Sequence, residues 1–360
     1  MSLRARFFRL HRRIICPGEG GALLGLLRVL LRPAAALYGL AVRARNWLYR
    51  KGLKPVHSAE VPVLSVGNIT AGGTGKTPMV AWLARLMVIH NRRPAILSRG
   101  YGRRGELGID DENTLLSREA EDVPIVVNPD RVKGAESAVR EHGADVLIMD
   151  DGFQHRRLAR GLDIVLIDAV WPFGGDHMLP RGLLREPLRE LQRANVLLIT
   201  RAGLVGEQRL EEIKERLGEL APEAAIACCV TEPSGLRALR PDGNTEPPRR
   251  LRRGRWAAFC GIGNPEGFRL TLEDAGCRLA LFRVFADHEP YTLRQLEEVL
   301  SAAQDAGCDG VVTTEKDAVK VERLLPEPSP PLYALQVELE LTEGSAELTN
   351  QILAALGQKA

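Results

Sequence analysis

A glycine-rich loop between an apolar strand-like run and a helix-like run constrains this 360-residue chain more than any other feature. In VLSVGNITAGGTGKTPMV, Val63 to Val80, the apolar Val63, Leu64 and Val66 lead into Gly67, Gly72, Gly73 and Gly75, then Lys76, Thr77 and Pro78. Glycines let backbone N–H groups crowd around phosphate oxygens, Lys76 adds a positive charge, and the Thr77 hydroxyl can ligate Mg²⁺. Pro78 suits a first helical turn, where its missing N–H costs nothing. The general pattern G-x-x-x-x-G-K-[ST] asks for glycine at position 70, where this chain has Thr70. The loop is therefore an atypical Walker A, and Thr70, Gly72, Gly73, Thr74, Gly75, Lys76 and Thr77 are the expected nucleotide-binding residues.

From Val61 onward strand-like and helix-like segments alternate, which predicts a doubly wound, mostly parallel sheet of the P-loop NTPase type. The expected strands run over 63–66, 95–98, 124–128, 146–149, 164–167 and 196–200, with helices over 78–90, 131–142 and 207–219. Several strands are continuous apolar runs, as when helices cover both faces. Composition shifts to Pro, Gly and Arg over 232–255, and a second α/β alternation follows. The expected division is an N-terminal amphipathic helix region at 1–54, a P-loop domain at 55–231, a linker at 232–255 and a smaller α/β domain at 256–360.

Net charge is only +3, but residues 1–54 hold twelve Arg or Lys against the single acid Glu19. Leu23, Leu27, Leu30, Ala34, Leu37 and Ala41 recur there at helical spacing, and Arg28, Arg32, Arg43 and Arg50 fall within about 60° of one another. The longest uncharged run, Pro33 to Val42, has ten residues, far short of the roughly 20 that span a bilayer. A basic amphipathic helix can lie in an anionic membrane interface, pack on the protein's own core, or meet nucleic acid; Trp47 and Tyr49 suit the interface. The six cysteines form no C-x-x-C and point to neither zinc nor a disulfide framework.

Downstream, VLIMDDGFQH ends an apolar run in Asp150 and Asp151, as a Walker B strand does when its carboxylate holds Mg²⁺, with Gln154 and His155 beside them. SRGYGR follows another strand, so Arg99 and Arg103 can face phosphates; a plain Gly turn with exposed arginines is the alternative. Asp110, Asp111 and Glu112 pass by themselves for a solvated acidic loop. WPFGGDHMLPRGLLREP, Trp171 to Pro187, is too irregular for a strand and too long for a turn, which suggests a substrate loop. FADHEPYT and TTEKDAVK place His288 and Glu315, Lys316 and Asp317 at strand ends of the second domain.

Taken in order, GNITAGGTGKTP, SRGYGR, the acids at 111 and 112, DDGFQH, LPRGLLREP, ADHEPY and TEKDAVK resemble the tetraacyldisaccharide 4′-kinase family, the lipid A 4′-kinases of Gram-negative bacteria. The resemblance covers nearly the whole chain, and Thr70 matches that family's loop. It implies transfer of the ATP γ-phosphoryl group, with Mg²⁺, to the 4′-hydroxyl of a tetraacyldisaccharide 1-phosphate lipid A precursor. It further implies Asp111 as general base with His288 as its partner, Thr77, Asp150 and Asp151 at the metal, and Arg185 and Glu186 as a further active-site pair. Arg99, Glu112, Gln154 and His155 take supporting places. The small domain is then expected to close over the site, and an amphiphilic substrate favours a helix seated on the cytoplasmic face of the inner membrane, with no nucleic acid and no obligate protein partner. Two rivals use a P-loop without an acceptor: a GTPase or ATPase switch or metal-insertion chaperone, and a nucleotide-gated membrane scaffold. Neither needs Asp111 or His288.

Overall fold

The computed structural model describes residues 22–100, 111–120, 122–240, 243–287, 290–322, 324 and 329–357. Two helices open them, α1 (Ala22–Leu30) and α2 (Arg32–Arg50). The buried residues of α2 are Ala35, Gly39, Val42 and Asn46, spaced by three and four, so one narrow stripe of mostly small residues faces the protein. Leu23, Leu26, Leu30, Leu37, Leu40 and Trp47 are exposed. The leucine face read from the sequence is thus largely an outward face. The stretch Leu23–Arg50 is long and apolar enough to cross a membrane by length and composition, which revises the expectation drawn from its longest uncharged run, because interspersed arginines do not abolish its mean hydropathy.

The order continues β1 (Val63–Asn68), α3 (Lys76–Ile89), β2 (Pro94–Ser98), α4 (Asp111–Glu119), β3 (Ile125–Val127), α5 (Arg131–His142), β4 (Val146–Asp150), β5 (Leu162–Asp168), β6 (Val196–Thr200), α6 (Glu207–Leu220) and β7 (Ala225–Ala238). After it come β8 (Thr245–Glu246), β9 (Trp256–Cys260), α7 (Pro265–Asp274), β10 (Leu279–Val284), α8 (Leu293–Asp305), β11 (Gly310–Thr314), α9 (Glu315–Val321), β12 (Leu332–Glu343) and α10 (Ser345–Gly357). The described residues fall into two compact units, one within Met1–Tyr101, Leu116–Val230 and Leu341–Ala360, the other within Gly102–Leu115 and Thr231–Glu340.

In the first unit the strand order is β7-β6-β5-β1-β4-β2-β3, and the pairings are parallel. Every residue of β1, β2, β5 and β6 is buried, because helices cover both faces. Ile213 and Leu217 of α6 pack with Val165, Ile167, Leu197 and Ile199 on one side. Ala135 and Ala138 of α5 pack with Val63, Leu97, Leu147 and Met149 on the other. β1 lies between β4 and β5, with Val66 opposite Asp150 and Asn68 opposite Leu166. The connections leave in opposite directions at that point, which is where doubly wound sheets open a ligand crevice at their carboxyl edge.

The second unit carries the parallel order β10-β9-β11-β12. Side-chain alternation along β9 divides its core: Ala257 and Phe259 join Leu296, Val299 and Ala303 of α8, whereas Trp256, Ala258 and Cys260 join Phe268 and Leu272 of α7.

Three boundaries differ from the sequence reading. Residues 232–255 contain the end of β7, strand β8 and a 3₁₀ turn over Pro248–Arg252; the polar Glu232-Pro233-Ser234-Gly235 hides the strand because it interrupts the apolar pattern. Leu341–Ala360 is grouped with the first unit, where Ala355 stands beside Gly161. Asp111 and Glu112 open helix α4 rather than a loop, consistent with acids favouring a first turn, and residues up to Leu115 group with the second unit rather than the first.

Candidate active site

The glycine-rich loop connects β1 to α3, and Gly75 caps the helix at φ 88°, a left-handed conformation that a side chain would strain. Lys76 and Thr77 therefore occupy the first turn, where unpaired backbone N–H groups and the helix dipole favour an anion. The loop is braced from beneath: the Thr200 hydroxyl donates to the Thr74 carbonyl at 3.0 Å, and Arg201 Nη2 donates to the Gly73 carbonyl at 3.1 Å. Arg201 is itself fixed by Asp168 at 2.6 Å. Those carbonyls are turned down into the protein, which leaves the loop's N–H groups for a ligand. Sequence reasoning missed Thr200, Arg201 and Asp168; the signal available was polar residues ending two apolar strands, Asp168 at the end of one and Thr200 and Arg201 at the end of the other, at the same sheet edge.

Asp151 is the electrostatic centre of the site. It lies just past the end of β4 at φ 51°, uncommon for a residue other than glycine. Arg185 Nη1 stands 2.9 and 3.1 Å from its two carboxylate oxygens, and Lys76 Nζ is 3.5 Å from Oδ1. Burial opposes the Asp151 charge, but Lys76 and Arg185 outweigh it and hold the carboxyl below the usual carboxylate range. Lys76 also reaches Asn68 Oδ1 at 3.4 Å, and Gln154 donates to the Asn68 carbonyl at 2.8 Å. The structure thus gathers Lys76, Asp151, Gln154 and Arg185 around the end of β1, with Asn68 as an unforeseen member.

The motif DDGFQH is pressed onto β1. A Cβ built on Gly67 would lie 2.6 Å from Phe153 Cβ and 2.7 Å from its backbone nitrogen, so this close approach requires glycine. The irregular segment 171–187 runs along the phosphate loop rather than away from it: Ala71 N donates to the Leu183 carbonyl at 2.7 Å, Arg185 N donates to the Ile69 carbonyl at 2.9 Å, and Thr70 bridges Leu184. Thr70 is 5% exposed, so the position that breaks the general motif is where this segment docks.

His155 occupies a second, more basic group. Its buried Nε2 has no hydrogen-bond partner among the described residues. Burial, then Arg131, Arg160 and Arg99, push its pKa from 6.5 to about 4, leaving a neutral ring. Arg131 donates to the Asp150 carbonyl at 3.1 Å.

Glu186 is enclosed by two arginines. It is fully buried and paired with Arg45 of α2 and with Arg193. Its neighbour in sequence points the other way, as successive residues of an extended segment do. In the second unit, Asp317 accepts from Gly261 N at 2.9 Å and from the Thr314 hydroxyl at 2.8 Å, and Glu315 pairs with Arg237. The polar ends of that sheet are to this extent architectural. Asp111 and Glu112 are described as helix backbone only, and His288 and Arg103 lie outside the described residues.

Thr77 and Asp150 offer a hydroxyl and a carboxylate, the hard oxygen donors Mg²⁺ takes in P-loop sites. No group of three or more His, Cys, Asp or Glu side chains suited to a metal occurs among the described residues, so nucleotide phosphates and water would have to complete the shell. Asp151 is already held by Lys76 and Arg185, which makes Thr77 and Asp150 the better-fitting pair.

Residues 27–357 match the family model described as tetraacyldisaccharide-1-P 4′-kinase. The tetraacyldisaccharide 4′-kinase of Anaeromyxobacter sp. (strain K) is 40% identical over 358 residues, covering 94% of this chain and 93% of its own. That of Geobacter sulfurreducens is 39% identical over 351 residues, covering 91% and 94%. Among solved structures, LpxK from Aquifex aeolicus in complex with ATP has a TM-score of 0.68 and 30% identity, covering 92% of this chain and 99% of that one.

Proposed function

The chain belongs to the tetraacyldisaccharide 4′-kinase family, and we propose that it transfers the γ-phosphoryl group of ATP to the 4′-hydroxyl of a tetraacyldisaccharide 1-phosphate. One observation carries the reading: a phosphate-binding loop whose Lys76 shares the Asp151 carboxylate with Arg185. Two cations fixed by one acid can face the charge that spreads over the transferring phosphoryl oxygens.

Backbone N–H groups of residues 72–77 cradle the phosphates, and Lys76 turns its charge toward the β- and γ-oxygens. Thr77 and Asp150 are the proposed holders of Mg²⁺, which when bound neutralises developing phosphate charge. The acceptor hydroxyl is a poor nucleophile, so Asp111 orients it and accepts its proton as the oxygen bonds to the γ-phosphorus and the bond to the bridging oxygen breaks, releasing ADP. His288 tunes that base. Both residues fall within the ranges grouped as the second unit, which we propose closes over the nucleotide during turnover. Gln154, His155 and Arg99 support the phosphate region, and Arg185 acts through Asp151.

The lipid nature of the acceptor gives the N-terminal helices their proposed role. Leu23, Leu26, Leu30, Leu37, Leu40 and Trp47 are exposed beside Arg28, Arg32 and Arg43, a pattern suited to the interface of an anionic leaflet. Tyr38 and Arg45 of α2 bond to Arg185 and Glu186 within the first unit, so that half of the helix is held by protein, which favours peripheral seating on the cytoplasmic face of the inner membrane.

Transfer of labelled γ-phosphate to the glycolipid by wild type, Asp111→Ala and His288→Ala tests the roles. Loss of most of the rate in both variants, with ATP still bound, supports them; unaltered transfer refutes them.

A further inference from the structure

The dipeptide Arg185-Glu186 joins two places that the reaction treats separately. On one side the Arg185 guanidinium holds Asp151. On the other, the fully buried Glu186 carboxylate is clamped between Arg45 of α2 and Arg193. The backbone between them is fixed twice: Arg185 N donates to the Ile69 carbonyl at 2.9 Å, and the Tyr38 hydroxyl of α2 donates to the Arg185 carbonyl at 3.1 Å. Arg193 in turn stacks on the Phe153 ring at 4.0 Å and donates to the Phe153 carbonyl at 3.2 Å, within the loop that carries Asp151.

A second buried acid strengthens the same seam. Glu190 is 1% exposed and pairs with Arg50 of α2 at 3.2 Å and with Arg193 Nε at 3.2 Å. Two carboxylates withdrawn from water are costly unless paired, and removing one partner of a buried pair leaves an uncompensated charge. Arg156 and Arg189 also stand 3.8 and 3.7 Å from Glu190, and helix α2 adds Arg45 and Arg50, so its seating contributes to the compensation of both acids.

We propose that Arg45 and Tyr38 are positioning residues for phosphoryl transfer: they register helix α2 against Arg185-Glu186, so that placement of the membrane-facing helix sets Arg185 on Asp151. The helix then does more than hold the enzyme near its substrate. Its outward face meets the bilayer while its inward face fixes a cation of the site, and a displacement on the order of 1 Å at such a cation can cost about a hundredfold in rate.

The test rests on the kinase reading and uses the full chain with glycolipid in mixed micelles. Arg45→Ala, Arg185→Ala and the double variant are compared for kcat and for KM of ATP and glycolipid, beside vesicle partitioning and thermal unfolding. The inference predicts that Arg45→Ala lowers kcat by about tenfold or more, that partitioning is unchanged, and that Arg45→Ala costs nothing further once Arg185 is absent. Arg45→Lys restores part of the rate. Should Arg45→Ala fail to fold, Tyr38→Phe replaces it, removing one hydroxyl from an exposed residue, with a severalfold loss of kcat that vanishes in the Arg185→Ala background. Equal losses in both backgrounds, or a loss seen only as a raised KM for glycolipid, overturn the inference while leaving the kinase intact. A wild-type chain without transfer activity defeats the kinase reading, and this inference with it.

Discussion

Arg185 bonds both oxygens of the Asp151 carboxylate, at 2.9 and 3.1 Å, although 34 residues separate them. Lys76 stands on the same acid at 3.5 Å. One carboxylate therefore holds two cations in place. The corresponding prediction is for Asp151→Asn, which keeps the shape and removes the charge. Its kcat should fall by about a hundredfold or more, the scale of losing one preorganised electrostatic group, and single-turnover kinetics should place the loss in the chemical step.

Gly67 is under a packing constraint rather than a chemical one. Alanine there would press within 2.7 Å of Phe153, and both β1 and Phe153 are fully buried. Gly67→Ala should destabilise the protein by about 1–3 kcal/mol, read from the urea midpoint. Activity should fall as well, because the displaced Phe153 sits between Asp151 and Gln154.

His155 gives a pH dependence with a definite sign. Its folded pKa, about 4, lies below the ordinary 6.5, so the unfolded chain takes up this proton first as pH falls. Stability attributable to the neutral ring is complete above about pH 6.5 and is lost progressively down to about pH 4. His155→Gln should therefore narrow the fall in unfolding temperature across that window relative to wild type. Parallel curves for the two proteins would show that the ring is not held neutral.

The exposed leucines of the N-terminal helices make a separate prediction. Leu30 and Leu37 are 62% and 69% exposed, and burying each in lipid is worth about 1.5–3 kcal/mol. Leu30→Gln with Leu37→Gln should then reduce partitioning into anionic vesicles by roughly a hundredfold or more, with turnover on a micellar substrate at saturation retained. Flotation unchanged by the pair would argue against seating through this face.

The strands were the most legible part of the chain. Runs such as residues 196–199 and 146–149 are apolar throughout because both sheet faces are covered, and that property is local. The phosphate loop and the acids after β4 were legible for the same reason: each carries its chemistry in adjacent residues. What escaped notice depends on partners far apart in sequence. Arg201 is identified as a brace only by its 3.1 Å bond to Gly73, and the enclosure of Glu186 by Arg45 and Arg193 is likewise invisible until distant residues are brought together. The helical leucines showed a period but not its direction, since a lipid-facing stripe and a core-facing stripe share one spacing. Helix α4 was hidden by an acidic start that suits a helix N-terminus and a solvated loop equally well.

The central claim is that the loop at 70–77 delivers a phosphoryl group to a glycolipid. Its most direct test is transfer from γ-labelled ATP to tetraacyldisaccharide 1-phosphate, by wild type and by Lys76→Ala at equal folded concentration. The account predicts a labelled 4′-phosphorylated product with wild type and a rate lower by about a hundredfold or more with the variant. Label released only as inorganic phosphate, or transfer undiminished in Lys76→Ala, would contradict it.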